Sequence, residues 1–335
     1  MAQFIQFTVT RAAMAFITLL AVSLIVFTLM ELVPGTCAER YLAFKNTQGS
    51  QITIDDIKAE EKRLGLDRPF LVRWGGWVTD VMVRFEFGES CILRLDINQL
   101  LSDKFWISLG ICMTALVLAY LIAVPVGIFS ATTKSAFANN TLRLLSYLGL
   151  ALPNFLLALL IMLFSTVVFG DSLTGLFSKE YRDAAWSLAK FGDFLTHAWL
   201  PIFILGWSAT AFALQTVRAL MLDEIGKLYV TAATARGITG TTLLWRYPAR
   251  HALGPVVNSL GFDLNRIFNE LPVVALIMTL TESGALLIES LARSNDQQLA
   301  GAIIFLLTAS IVLLNFITDI LLAILDPRVR RGIMG

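Results

Sequence analysis

The chain has 335 residues, 56% of them hydrophobic and only 15% charged, with a mean hydropathy of +0.72. Soluble domains run about 45–50% apolar and about 25% charged, so this composition excludes a soluble domain and describes an integral membrane protein. The net charge of +1 argues against both a nucleic-acid-binding surface and a polybasic membrane anchor.

The first apolar run, Ala12 to Val33, follows Arg11 and is closed by Pro34-Gly35. A hydrocarbon core of about 30 Å needs about 20 apolar residues, and this run supplies them. It is too long for a cleavable signal peptide and lacks a small-residue cleavage site, so it is expected to remain as a transmembrane helix. Glu31 stands at its far end, where the interface can solvate it.

Residues 36–101 form the longest polar region, with charges of both signs and turn signals. They predict a small external subdomain, against the plainer reading of a solvated loop. Cys37 and Cys91 bracket the region. If it faces an oxidising compartment, a disulfide between them would tie its ends together. Closing such a loop is worth about 3–4 kcal/mol. Whether the two Cβ atoms come within bonding reach is a matter for the structure. Cys112 lies in an apolar span and reads as a small buried hydrophobe.

A second span is expected over Phe105–Ala131, with Pro125 and Gly127 as points where it can kink. A polar turn with Lys134 follows, then Arg143. The third span, Leu144–Phe169, has Pro153-Asn154 in its first third. The next connection, residues 171–196, is polar, and its Trp186, Leu188, Phe191, Phe194 and Leu195 suit an interfacial amphipathic helix. A fourth span opens at His197 or Trp199 and runs to about Leu220, past Pro201. A lone histidine there suits the interface better than a metal site.

The polar stretch 223–255 interrupts this series of spans. Within it, Tyr229 to Pro255 predicts an Ala-rich helix, a turn at Gly237, and a second helix through Leu243, Leu244 and Trp245. Glycine tolerates the positive φ that a helix C-terminus often needs, and Thr239 or Thr241 can cap the second helix. Turn chemistry by itself is equally compatible with an ordinary connecting loop. A fifth span is expected over Val256–Leu280 and a sixth over Leu299–Leu325.

Charges in the short loops set the topology. Lys134 and Arg143, the group Arg218, Lys227, Arg236, Arg246 and Arg250, and the tail Arg328, Arg330 and Arg331 all fall on one side if there are six spans. The connection 171–196 mixes Lys179, Arg182 and Lys190 with Asp171, Glu180, Asp183 and Asp193. The loop after the fifth span has Arg293 against Asp296. Six spans with both termini and the 223–255 loop in the cytoplasm satisfy these counts.

No G-x-x-x-x-G-K-[ST] occurs, so no P-loop is expected in this chain. Its two histidines, His197 and His251, are far apart, and no metal site or nucleophile–base pair is expected. The fifth span is unusual in carrying Asp263, Asn265, Arg266, Asn269 and Glu270. Asp263, Arg266 and Glu270 share a helix face by their i, i+3, i+7 spacing. A charge at the bilayer centre costs at least about 2.5–3.5 kcal/mol, so such residues face protein or a water-filled cavity. One reading is a self-neutralising structural set in which Arg266 bridges Asp263 and Glu270. The other is a polar lining of a translocation path, and the two are compatible.

The 223–255 loop resembles the coupling loop of ABC-importer permeases. That pattern is Glu-Ala-Ala, three residues, a Gly and a later Pro. The sequence here reads Thr231-Ala232-Ala233, then Gly237, then Arg250-His251-Ala252-Leu253 and Pro255. It is similar to the peptide/opine/nickel group, where Tyr229-Val230, Ala235, Arg236 and Gly237 also fit the usual form. Thr231 stands where the general motif has Glu. The external pieces Leu64 to Pro69 and Phe87-Gly88-Glu89-Ser90, and the tail Asp326-Pro327-Arg328, are similar to the same group.

The resemblance implies an all-α integral membrane protein with the six-helix type I ABC-importer permease fold. It divides into 1–35 (first span), 36–101 (extracytoplasmic subdomain) and 102–335 (permease core). The implied partners are a second homologous permease, two ATPase subunits holding ATP and Mg²⁺, and an extracytoplasmic binding protein. The implied place is a bacterial inner membrane, and no covalent step belongs to this chain. Relatives often have glycines where the fifth span here is polar. Their Trp-Pro-Gly-Leu-Gly corner reads Leu280-Thr281-Glu282-Ser283-Gly284, and Pro272 is expected to break the helix before it. The cargo expected is a small solute such as an oligopeptide. An oligosaccharide, glycoside or opine is the alternative, since Asn295-Asp296-Gln297-Gln298 replaces the usual Asp-Tyr-Pro. An ion-coupled transporter using Asp263 and Glu270, or a membrane enzyme or assembly factor, would be a different class. The missing inverted repeat and missing catalytic constellation count against these.

Overall fold

Long apolar runs with good helix formers and few turn residues leave the backbone no partner in hydrocarbon except itself, and the chain is built of helices accordingly. The computed structural model describes residues 2–47, 53–170, 173–182, 184–280, 283–292 and 296–325. Thirteen α-helices cover most of them: α1 (Ala2–Leu32), α2 (Cys37–Thr47), α3 (Ile54–Arg63), α4 (Phe70–Thr79), α5 (Ile97–Thr132), α6 (Ala136–Ala151), α7 (Asn154–Phe169), α8 (Leu188–Ile225), α9 (Leu228–Ala235), α10 (Gly240–Arg246), α11 (Pro248–Ile277), α12 (Ser283–Ala292) and α13 (Gln297–Leu325). Thr281, Glu282, Asn295, Asp171, Asp183, Arg293 and the tail from Asp326 lie outside the described residues.

Among the described residues, α1, α5, α8 and α13 are long and apolar enough to cross a bilayer, and the α6–α7 pair makes a fifth if counted as one span. The expected third span is therefore two half-length helices meeting at 98°. Leu152, held extended by the proline after it (φ −91°, ψ 112°), ends α6, and Pro153 opens α7, as the steric limits on a pre-proline residue require. Pro125, Pro201, Pro255 and Pro272 lie inside helices. In particular, α11 continues past Pro272 and ends at Met278 and Thr279, the latter with φ +51°. The expected break therefore falls just before the 280–284 corner and not at Pro272 itself. Proline removes one hydrogen bond, which burial of this stretch outweighs. At 30 residues α11 is long enough to span, but it carries Arg250, Asp263, Arg266 and Glu270 and is not among the apolar helices.

The chain divides into two compact units. One comprises residues 1–8, 109–281 and 314–335; the other comprises 9–108 and 282–313.

In the first unit α8 packs along α11, α6 and α7. Its core includes Ile128, Val217, Met221, Ala249, Ala252 and Val256. Small residues let these helices approach closely. A Cβ on Gly127 would lie 2.8 Å from Val217, and one on Gly149 would lie 2.5 Å from Ala211. Among the described residues of 171–196 there is no separate interfacial helix, and those from Leu188 onward belong to α8. Ser187 caps α8 at Leu188, its hydroxyl accepting from Lys190 N–H at 3.2 Å. Phe177, Trp186 and Phe194 stack on one another there, with the Lys190 ammonium about the same distance from the Phe177 ring (4.9 Å) as from Trp186 (5.2 Å). His197 Nδ1 bonds the Asp193 carbonyl oxygen at 2.8 Å.

In the second unit Cys37 and Cys91 are joined by a disulfide, with Cα atoms 5.5 Å apart. Thr53 and Asp56 form a reciprocal capping box at the start of α3, and Gly65 (φ +65°) ends that helix. Phe27 packs on Phe70 and Trp77, and Trp77 on Phe305. Glu31 is exposed, as expected, and is also held by both terminal nitrogens of Arg73 at 3.0 and 2.5 Å. Asp296 is fully buried. Its carboxylate accepts from the Ser90 hydroxyl and from the backbone N–H groups of Cys91, Ile92 and Leu299.

Candidate functional site

Both groups of site residues read from the sequence lie in the first unit. The first is a pair of short helices, α9 and α10, between α8 and α11. α9 ends as a Schellman turn: Gly237 N–H donates to Thr234 O (2.9 Å) and Ile238 N–H to Ala233 O (3.2 Å). Gly237 takes φ +82°, the left-handed conformation such a turn requires. Thr239 precedes α10, but its side chain makes no capping bond, and Thr241 lies within the helix, so neither expected cap forms. A left-handed Gly240 (φ +66°) makes the entry instead.

α9 has two faces. Val230 and Ala233 are buried, whereas Thr231, Ala232, Ala235 and Arg236 are exposed. Arg250 is exposed too, but it and Pro255 belong to the first turns of α11 rather than to a loop. The expected loop 223–255 is thus helical at both ends.

Tyr229 anchors the projection. Its hydroxyl donates to Glu224 near the end of α8, and its ring meets His251 of α11 edge-on at 5.1 Å. Burial and the adjacent Glu224 carboxylate push the phenol above its ordinary range, so it stays a donor. Lys227 pairs with Glu224 at 2.5 Å, and this hydrogen bond holds its ammonium above the ordinary lysine range. Glu224, Lys227 and His251 were not singled out from sequence. The i, i+3 spacing of Glu224 and Lys227 at a helix end was the available signal.

The second group lies on α11. Asp263 is fully buried and accepts from Tyr120 of α5 at 2.5 Å. Tyr120 also bonds Ser259 at 2.9 Å. Arg266 pairs with Asp263 at 3.5 Å and lies over the Phe212 ring of α8 at 5.5 Å. It makes no ion-pair contact with Glu270, so the expected Asp–Arg–Glu bridge is only half formed. Glu270 instead receives a hydrogen bond from Asn154 of α7. Asn265 and Asn269 sit on a different, exposed face, where Asn269 donates to Asn265 at 3.1 Å. The five residues are therefore two sets: a buried charged set facing α5, α7 and α8, and an exposed amide pair. Tyr120 and Asn154 were missed because each looks like an isolated polar residue in an apolar run.

Comparison with known proteins fits this arrangement. Residues 123–331 match the family described as binding-protein-dependent transport system inner membrane component, and residues 4–93 match the N-terminal region of the same kind of protein. The chain belongs to this family. It is a permease subunit of an ABC importer with the type I permease fold, and it is a multi-pass inner-membrane protein. It is 27% identical over 314 residues to a putative peptide permease of Brucella ovis, covering 93% of this chain and 95% of that one. It is 25% identical over 313 residues to a glutathione transport system permease of Salmonella typhi, covering 93% and 95%. It is 26% identical over 324 residues to an oligopeptide transport system permease of Bacillus subtilis, covering 96% and 98%. Membership displaces the ion-coupled transporter as a class.

Proposed function

We propose that the chain forms half of the translocation path of an importer for peptide-like solutes, coupled to an ATPase through the exposed face of α9. The supporting observation is the projecting α9–α10 pair. Its small outward residues Ala232 and Ala235 allow close approach of a partner, while Tyr229 fixes it to α8 and α11. The relatives named for peptide, glutathione and oligopeptide transport favour a peptide-like cargo.

In this reading both termini and α9–α10 face the cytoplasm, and the disulfide-bonded region faces the oxidising side. A second permease completes the path, a binding protein delivers the solute, and two ATPase subunits hold ATP and Mg²⁺. This chain performs no covalent chemistry. ATP-driven closure of the ATPases would displace α9. The Tyr229–Glu224 bond and the His251 contact would pass that displacement to α8 and α11, the helices flanking the buried charges. The alternation is a rigid-body movement biased by partners rather than a reaction.

Site-specific crosslinking in the reconstituted complex tests the docking. A short thiol crosslinker on Ala232→Cys or Arg236→Cys should capture an ATPase subunit, with a yield that changes when ATP is added. Val230→Cys, on the buried face, should not react. Equal capture from both faces, or none from the exposed face, would reduce α9 to a connector.

A further inference from the structure

The buried charges of α11 do not balance. Asp263 and Glu270 are two acids served by one base, Arg266, which pairs with Asp263 at 3.5 Å and acts on Glu270 from beyond ion-pair distance. Glu270 keeps a buried carboxylate oxygen, Oε2, with no hydrogen-bond partner. Beside it stands Asn154, 2% exposed, at the first turn of α7. Its amide N–H₂ is used on the Leu205 carbonyl (3.2 Å) and on Glu270, which leaves its Oδ1 buried and unpartnered. One surplus negative charge and two vacant acceptors therefore share one place between α7, α8 and α11.

Among the described residues Arg266 is the base that acts on Glu270, and the charge of Asp263 already engages it. The basic residues of α8 are Lys190 and Arg218, fifteen and thirteen positions from Leu205, or about 20 Å along the axis. Turning Arg266 from Asp263 to Glu270 would strip the fully buried Asp263 of its counter-charge, which is strongly unfavourable. Two acceptors are too few for a calcium ion, which takes 6–8 oxygens. A primary ammonium fits better, because it brings a positive charge and three N–H donors and needs no donor in return.

We propose that Glu270 and Asn154 form a subsite for the primary ammonium group of the transported solute. This rests on α11 lining the path. Glu270 supplies the charge, Asn154 Oδ1 a second acceptor, and Arg266 keeps Asp263 from competing for the same cation.

The test is transport into proteoliposomes holding the complete importer, driven by its binding protein at a saturating loaded concentration. At saturation, differences in loading drop out and the rate per complex reports the membrane path. The probes are a labelled tripeptide and its N-acetyl form, which lacks the ammonium. Wild type should move the free tripeptide at least about tenfold faster, the worth of a hydrogen bond to a charged group. Glu270→Gln should bring that ratio close to one. Glu270→Asp, which keeps the charge, should retain most of it, and Asn154→Ala should lower it partway. A wild-type ratio near one, a ratio unchanged in Glu270→Gln, or equal loss of both peptides in Glu270→Gln and Glu270→Asp with the complex intact by gel filtration, would each overturn the subsite while leaving the importer standing. If wild type moves neither peptide, the peptide-importer reading falls and takes the subsite with it.

Discussion

Gly237 carries more of the coupling turn than its missing side chain suggests. A Cβ there would meet nothing within 4 Å, so substitution is penalised by backbone conformation alone. The left-handed region costs an L-residue roughly 1–2 kcal/mol, and a β-branched one is a genuine outlier there. Gly237→Ala should thus loosen the α9–α10 turn mildly and Gly237→Val severely. In the assembled complex, binding-protein-stimulated ATP hydrolysis should fall in that order, as a coupled-enzyme assay would show. Equal stimulation in both variants would mean that the turn transmits nothing. This glycine could be read from the sequence because its role is local. Tyr120 and Asn154 could not, since the partners that give them meaning lie 143 and 51 residues away and periodicity carries no such information.

At the scale of elements, hydropathy located the apolar segments well and their shapes poorly. The first, second, fourth and sixth expected spans correspond to α1, α5, α8 and α13, each beginning before the apolar stretch. The third became α6 and α7, because Pro153 removes an N–H and constrains Leu152 together. Pro255 and Pro272 impose the same two restrictions, but both lie inside α11, where packing carries the helix through them. Packing is also where glycine matters inside the helices. A Cβ on Gly127 would press on Val217 at 2.8 Å and on the Leu214 carbonyl at 3.0 Å, and a backbone oxygen cannot rotate away. Gly127→Val should therefore cost about 1–3 kcal/mol by overpacking and lower the thermal midpoint of the purified complex. Gly254→Ala, with open space around the new methyl, serves as the control. Similar losses in both would show that contact with Val217 and the Leu214 carbonyl is not the cause.

Across the whole chain, the two units are held in different ways. The membrane-type core of the first relies on small residues and aliphatic contact. The second is fastened by a disulfide spanning 54 positions, worth about 4 kcal/mol on loop-closure grounds, and by charge. Within it, Glu60 accepts from Arg63 at 3.0 Å and from Arg94, whose guanidinium also stacks on Tyr41 at 3.7 Å. The Arg63 hydrogen bonds, with Arg94 adding to them against the opposing effect of burial, hold the Glu60 carboxyl below its usual range. A depressed folded-state value means that the stabilisation is complete above the ordinary glutamate value of about 4.3 and is lost as pH falls through the folded value. Protection of residues 54–95 from hydrogen exchange should decline below about pH 4 in wild type. Glu60→Gln should show weaker protection at neutral pH and a flatter decline, whereas an identical profile would place the pH response elsewhere.

Asp296 sets an order of events during synthesis. The residues it holds, Ser90, Cys91 and Ile92, leave the ribosome some two hundred residues before it does. Until then Cys91, one half of the disulfide pair, stands on a segment that lacks the buried carboxylate that fixes it. Residues 90–92 can therefore take up these contacts only after Asp296 has been made. A chain stalled or cleaved ahead of residue 296 would carry the 90–92 segment without these contacts. Completion of the C-terminal end is in this way reported at the N-terminal end, before any partner subunit has joined.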